Sequence, residues 1–121
     1  MKLHEQRQAR MNLIGRYEAG EIRINEHRLG APCIVAPGFL QQEWIAGIAE
    51  LAPESLAPVW ALQPRIVLLG SAALPAERMK AVRGTFAARQ IALEAMDLGA
   101  ACRTYNVLAQ EDRAVAALLF P

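Results

Sequence analysis

Between Pro64 and Gly70 the chain reads Arg65-Ile66-Val67-Leu68-Leu69, and this run constrains the fold more than any other. A continuous apolar stretch closed by Pro and Gly is the pattern of a strand buried on both faces. Such a strand needs cover on each side, and the sequence after it supplies that cover. Pro75 suits the first position of a helix. Met79, Val82 and Phe86 then mark the buried stripe of a helix reaching about Arg89. Ile91 to Met96 reads as the next strand, and Gly99 to Asp112 as the next helix. Ala114 to Phe120 is so rich in Ala that its period does not separate strand from helix; we read it as a strand. The second half is thus strand–helix–strand–helix–strand, which implies right-handed crossovers and a largely parallel sheet with helices on its faces.

The first half has a different rhythm. Asn12 to Tyr17 reads as a strand, and Glu18 to Glu21 as a turn centred on Gly20, which tolerates positive φ. Ile22-Arg23-Ile24-Asn25 alternates as the returning strand of an antiparallel hairpin. Asn25 to His27 is a second turn, and Cys33 to Ala36 a short apolar strand closed by Pro37-Gly38. Trp44, Ile45, Ile48 and Leu51 follow helical spacing from Gln42 until Pro53. A second short helix, with Leu56, Val59 and Trp60 on one side, runs from Pro53 to a break at Gln63-Pro64. Residues 1–10 are polar and read as frayed or as an edge strand. The expectation is one compact three-layer α/β domain over 1–121, with a mixed central sheet, an N-terminal antiparallel hairpin and a βαβαβ C-terminal half.

Composition narrows the function classes. With 13 basic and 12 acidic residues the net charge is +1, and no Lys/Arg cluster forms the dense basic surface that nucleic acid needs. The longest strictly apolar run, Ala114 to Phe120, falls far short of the roughly 20 residues of a membrane span. The first residues contain no apolar signal core. These features read as a cytoplasmic, bacterial protein. Cys33 and Cys102 are distant in sequence and the two histidines form no motif with them, so no metal or cofactor is expected. Two separate reduced thiols are expected in that compartment.

A site in such a fold belongs outside the carboxyl ends of the parallel strands. Two loops lie there, Gly70-Ser71-Ala72-Ala73 and Met96 to Ala100. Each leads into a helix N-terminus, whose free N–H groups favour an anion. Asp97 is placed to cap its helix. Cys102, in the first turns beside Arg103, is the best nucleophile candidate, but with no His placed to act as its base the alternative, a small buried apolar residue, is the favoured reading. Arg103, Thr104, Tyr105 and Asn106 form a polar run inside the helix. Thr and Asn are poor helix-interior residues, so a specific role is expected, with the Asn106 amide tying a neighbouring loop. Glu111 and Arg113 sit at the helix end. The candidate ligand-binding set is Gly70, Ser71, Asp97, Gly99, Cys102, Arg103 and Asn106. No catalytic constellation is assigned.

The stretch Met96-Asp97-Leu98-Gly99-Ala100-Ala101-Cys102-Arg103-Thr104-Tyr105-Asn106-Val107-Leu108, followed by Glu111-Asp112-Arg113 and Ala116-Ala117-Leu118, resembles a family of small uncharacterised bacterial and archaeal proteins. That family includes the mitochondrial NADH dehydrogenase (complex I) assembly factor 3. The resemblance extends back through Leu68-Leu69-Gly70 to the hairpin Ile14 to Asn25. It departs at Leu98, where the family has Thr or Ser, and at Gly70-Ser71-Ala72, where it has a Gly-Thr-Gly-like turn. Each departure removes a hydroxyl or a backbone freedom that an anion site could use. The resemblance implies a three-layer α/β fold, no established enzyme activity, and a protein partner by analogy with the assembly factors. Three readings follow. One is a non-enzymatic interaction or assembly module, which expects an exposed apolar patch around Phe39, Leu40, Trp44 and Ile45 or at a sheet edge. Another is a protein or enzyme binding a small anion between loops 70–73 and 97–106. The third is thiol chemistry at Cys102.

Overall fold

The computed structural model describes residues 11–18, 20–71 and 76–121. The expectations for residues 1–10, for Ala72 and Ala73 and for Pro75 fall outside these. Eight strands form two sheets. Strands β1 (Ile14–Glu18), β2 (Glu21–Ile24) and β3 (His27–Leu29) make a three-stranded antiparallel sheet. Strands β4 (Cys33–Ala36), β5 (Phe39–Gln41), β6 (Ile66–Gly70), β7 (Ala92–Met96) and β8 (Val115–Leu119) make a mixed sheet ordered β5-β4-β8-β6-β7. Strand β6 is paired in parallel with β7 on one side and β8 on the other, and β4 runs antiparallel to β8. The mixed α/β architecture expected from the sequence is the one observed.

Connectivity explains the layering. The chain leaves β6 for the edge strand β7 through helix α2 (Ala76–Ala88), then returns past β6 to β8 through α3 (Leu98–Gln110). Right-handed crossovers in opposite directions put the two helices on opposite faces. Side-chain alternation follows. Leu68, Ala117, Leu119, Cys33 and Val35 face α3 and the three-stranded sheet, and join Ile22, Ile24, Ala101 and Tyr105 in one core. Val67, Leu69, Ala116, Leu118 and Ile34 face the other way and meet Met79, Val82 and Phe86 of α2. The ambiguous closing run is a strand because all five of its residues are buried, as a central position between β4 and β6 demands.

The short strands β3 and β5 were not expected, and segment 42–51 differs from the helix expected there. Residues 42–51 are bends and a single 3-10 turn, Ile48–Glu50, not a helix. Gly47 is fully extended and caps nothing with a side chain, and Pro53 follows too soon for a helix to propagate. The apolar side chains of this stretch, Trp44, Ile45 and Ile48, are half-buried against the second core, as is Phe39 just before it. Trp44 packs at a tilt against Phe120, ring centres 5.7 Å apart, and its indole N–H donates to the Ser55 carbonyl at 2.8 Å. The stretch is therefore core cover, and the exposed apolar patch expected there is absent. Trp60 lies on α1 (Ala57–Ala61), continuing from the 3-10 turn Pro53–Leu56, edge-on to Phe86 at 5.0 Å. Gln63 at φ 51° ends that helix before Pro64.

Candidate functional site at the carboxyl end of the sheet

The ends of β6 and β7 lie side by side: Gly70 is registered with Met96, and the Ser71 amide donates to the Met96 carbonyl at 3.1 Å. Gly70 has a packing reason to be glycine. A Cβ there would stand 2.6 Å from the Ala101 Cβ, so α3 could not lie as close to the sheet. Asp97 opens α3 as its N-cap, accepting from the Ala100 amide at 2.8 Å. It thereby takes up one of the free N–H donors that an anion would use.

Each polar residue of the motif that follows is engaged. Asn106 reaches the first residue of β1 with both ends of its amide. Oδ1 accepts from the Ile14 amide at 2.9 Å and Nδ2 donates to the Ile14 carbonyl at 2.7 Å. The side chain thus completes the backbone pairing of an edge strand as a neighbouring strand would. Tyr105, fully buried one residue earlier, donates its hydroxyl to the Asn12 carbonyl at 2.8 Å. Burial pushes its phenol above the usual range. Asn12 in turn donates Nδ2 to the carbonyls of Ala36 and Phe39, and accepts from Asn25 at 3.0 Å. Arg103 donates to the Tyr17 hydroxyl at 2.7 Å, with its guanidinium 5.7 Å from that ring. This bond holds the guanidinium more firmly protonated.

Cys102 points into the core with no exposed surface. Burial pushes its thiol up to about 11, outweighing the opposite pull of Arg103. Burial, and secondarily Cys102, pushes Cys33 up to about 12. Both cysteines are free. Helix position and a neighbouring cation pointed to a nucleophile, but desolvation dominates; Cys102 is the small buried apolar residue of the alternative.

A hollow of about 340 Å³ adjoins these elements, lined by Tyr17, Glu18, Asp97, Leu98, Gly99 and Phe120 among others. Ser71 lines a separate hollow of about 370 Å³ on the other side of Phe120 and Pro121. Of the sequence-predicted set, Asp97, Gly99 and Arg103 therefore gather around Tyr17. Ser71 stands apart from them. Cys102 and Asn106 are turned into the fold. Asn12 and Tyr17 were missed as partners of the motif. Asn12, a polar residue leading into an apolar strand, was the available signal; Tyr17 gave none.

These features define a class: an α/β protein whose small antiparallel sheet is braced on a doubly wound sheet by a polar motif carried on one helix. Residues 14–120 match the family model described as protein of unknown function (DUF498/DUF598), and the chain belongs to that family. The NADH dehydrogenase (ubiquinone) 1 alpha subcomplex assembly factor 3 of Bos taurus is 30% identical over 110 residues, which are 89% of this chain and 60% of that protein. The chain spans about three-fifths of the length of that curated relative. A Xanthomonas campestris protein solved by NMR is 31% identical with a TM-score of 0.76, over 90% of this chain and 83% of that one. A Bordetella parapertussis crystal structure is also 31% identical, with a TM-score of 0.75, over 92% and 96%. Among the described residues, no helix is long and apolar enough to cross a membrane.

Proposed function

We propose that the chain is a non-enzymatic protein-interaction or assembly module, acting in the cytoplasm on a protein partner as the related assembly factors act in theirs. One observation carries this reading: the groups that would do chemistry in the shared motif are spent on the fold. Asp97 caps a helix, Tyr105 and Asn106 fasten β1, Arg103 holds Tyr17, and Cys102 is buried. What such a fold offers a partner is surface. The two buried thiols suit a reducing compartment. The test is to delete the gene and resolve native complexes by size. The expected result is a subassembly that accumulates and is cleared when the protein is restored. Unchanged complexes in the deletion strain would overturn the reading.

A second reading rests on the hollow lined by Tyr17, Asp97 and Gly99, which would take a small molecule near the Arg103 that is bonded to Tyr17; Gly70 and Ser71 of the candidate set do not line it. Amide NMR titration with nucleotides, phosphorylated metabolites and carboxylates tests it. Shifts at 97–103 would support the ligand reading, and none with any of them would end it.

A further inference from the structure

The outer face of the three-stranded sheet carries an arrangement that stability alone does not favour. Arg16 is registered directly opposite Arg23, and Arg23 directly opposite Arg28. The three are exposed, while Ile22, Ile24 and Leu29 fill the inner face. They form one row across three strands, and like charges directly opposite each other destabilise a sheet. A row of carboxylates lies beside it, with Glu18 opposite Glu21. Yet among the described residues only Arg28 of the three forms an ion pair, with Glu21 at 3.9 Å and both side chains largely exposed. The row is also built with a device. The pairing slips between Ile14 and Arg16, so that Gly15 is an extra residue in β1. Without that bulge Arg16 would share the inward phase of Ile14; with it, Arg16 turns outward to complete the row.

We propose that this face docks a helix of a protein partner, one carrying a stripe of carboxylates a turn apart. This rests on the module reading and names the surface and the partner's chemistry. Spacing and charge select the helix. Directly paired residues on neighbouring strands have Cβ atoms about 4.5–5.5 Å apart. Carboxylates at i, i+3/i+4 and i+7 on a helix repeat at about 5–6 Å, and so meet the three guanidiniums one to one. Alternate residues of an extended strand repeat at about 6.6 Å and run out of step. A continuous polyanion would meet the Glu18–Glu21 row. A helix with an acidic stripe beside a basic one matches both rows.

The test uses the full chain and two Ala-based helical peptides of about 20 residues. One has Glu at i, i+4 and i+7 with Lys one step around the helix; the other has the same composition scrambled. At low ionic strength the striped peptide is expected to bind about tenfold more tightly than the scrambled one, and to weaken with salt. Replacing Arg16, Arg23 and Arg28 together by Thr is expected to cost about tenfold in binding, and R23T alone about threefold. Thr favours strands and relieves the repulsion, so the melting temperature of R23T is expected to stay level or rise. Equal binding of both peptides, undiminished binding by the triple variant, or a lowered R23T melting temperature would overturn the proposal. So would tighter binding of heparin than of the striped peptide, or a dimer abolished by the triple variant. If the native subassembly still depends on the protein and the triple variant supports it fully, this surface fails while the module reading stands.

Discussion

The two faces of the five-stranded sheet are covered by opposite means. On the α2 face the cover is apolar fill: Phe86, Val82, Leu56 and Val59 are buried, with the edge-on Trp60–Phe86 pair above them. The polar contacts there are few and lie at its margin: among the described residues, the Trp44 indole donates to the Ser55 carbonyl and the Arg89 guanidinium sits 4.2 Å over the Trp60 ring. On the α3 face the core is as apolar, yet the three-stranded sheet is fastened by side chains reaching 92 residues, Asn106 to Ile14, and 93 residues, Tyr105 to Asn12. The lesson is one of specificity. Apolar burial is non-directional and holds a helix on a sheet well enough. A small sheet meeting a larger fold through one face can slip by a residue and invert its sides. Directional bonds to the backbone at Ile14 and Asn12 prevent the slip, which is why helix-averse residues occupy α3.

The largest expected contrast comes from emptying the apolar face. Phe86→Ala should cost about 3–5 kcal/mol, and urea unfolding should show one cooperative transition shifted as a whole. Next is the clamp. Asn106→Ala leaves the amide and carbonyl of Ile14 without partners and should cost about 2–3 kcal/mol in the same assay. Per unit of pH, the effect of alkali is smaller. The Cys102 thiol is raised from an ordinary 9.0 to about 11, and Cys33 to about 12. Both are protonated, folded or unfolded, below about pH 9. Above that the unfolded chain releases protons first, so stability should fall toward pH 11, with a slope on the order of 1 kcal/mol per pH unit for each thiol. Cys102→Ala should shallow that slope without altering stability dependence near neutrality. The smallest effect is Trp44→Phe, which keeps the stacking on Phe120 and loses one bond to Ser55, about 1 kcal/mol by thermal melts.

The α/β half was readable because its elements are bounded by punctuation that acts locally. Pro64 and Gly70 frame β6, and Asp97 starts α3 where its side chain can cap the helix. Asn106 was legible as a broken rule, a poor helix former inside a helix, though its target was not. That target lies 92 residues away and depends on how two sheets meet, which no local pattern encodes. Segment 42–51 misled because apolar side chains covering a core, Trp44, Ile45, Ile48 and Leu51, imitate helical spacing over so short a span. Strands β3 and β5, three residues each, are too brief to show a period. For Cys102 the features that suggest a nucleophile, helix position and Arg103, are visible in sequence, whereas the desolvation that outweighs them belongs to the assembled core and agrees with the buried apolar role the sequence favours.

Amide hydrogen exchange on Asn106→Ala tests the central claim, that the polar motif of α3 holds the three-stranded sheet in place. The account predicts that amides of Ile14, Ile22 and Ile24 lose protection while those of Leu68 and Leu118 keep it at the level set by the variant's global stability. A uniform loss across both sheets, or full protection retained at Ile14, would contradict it.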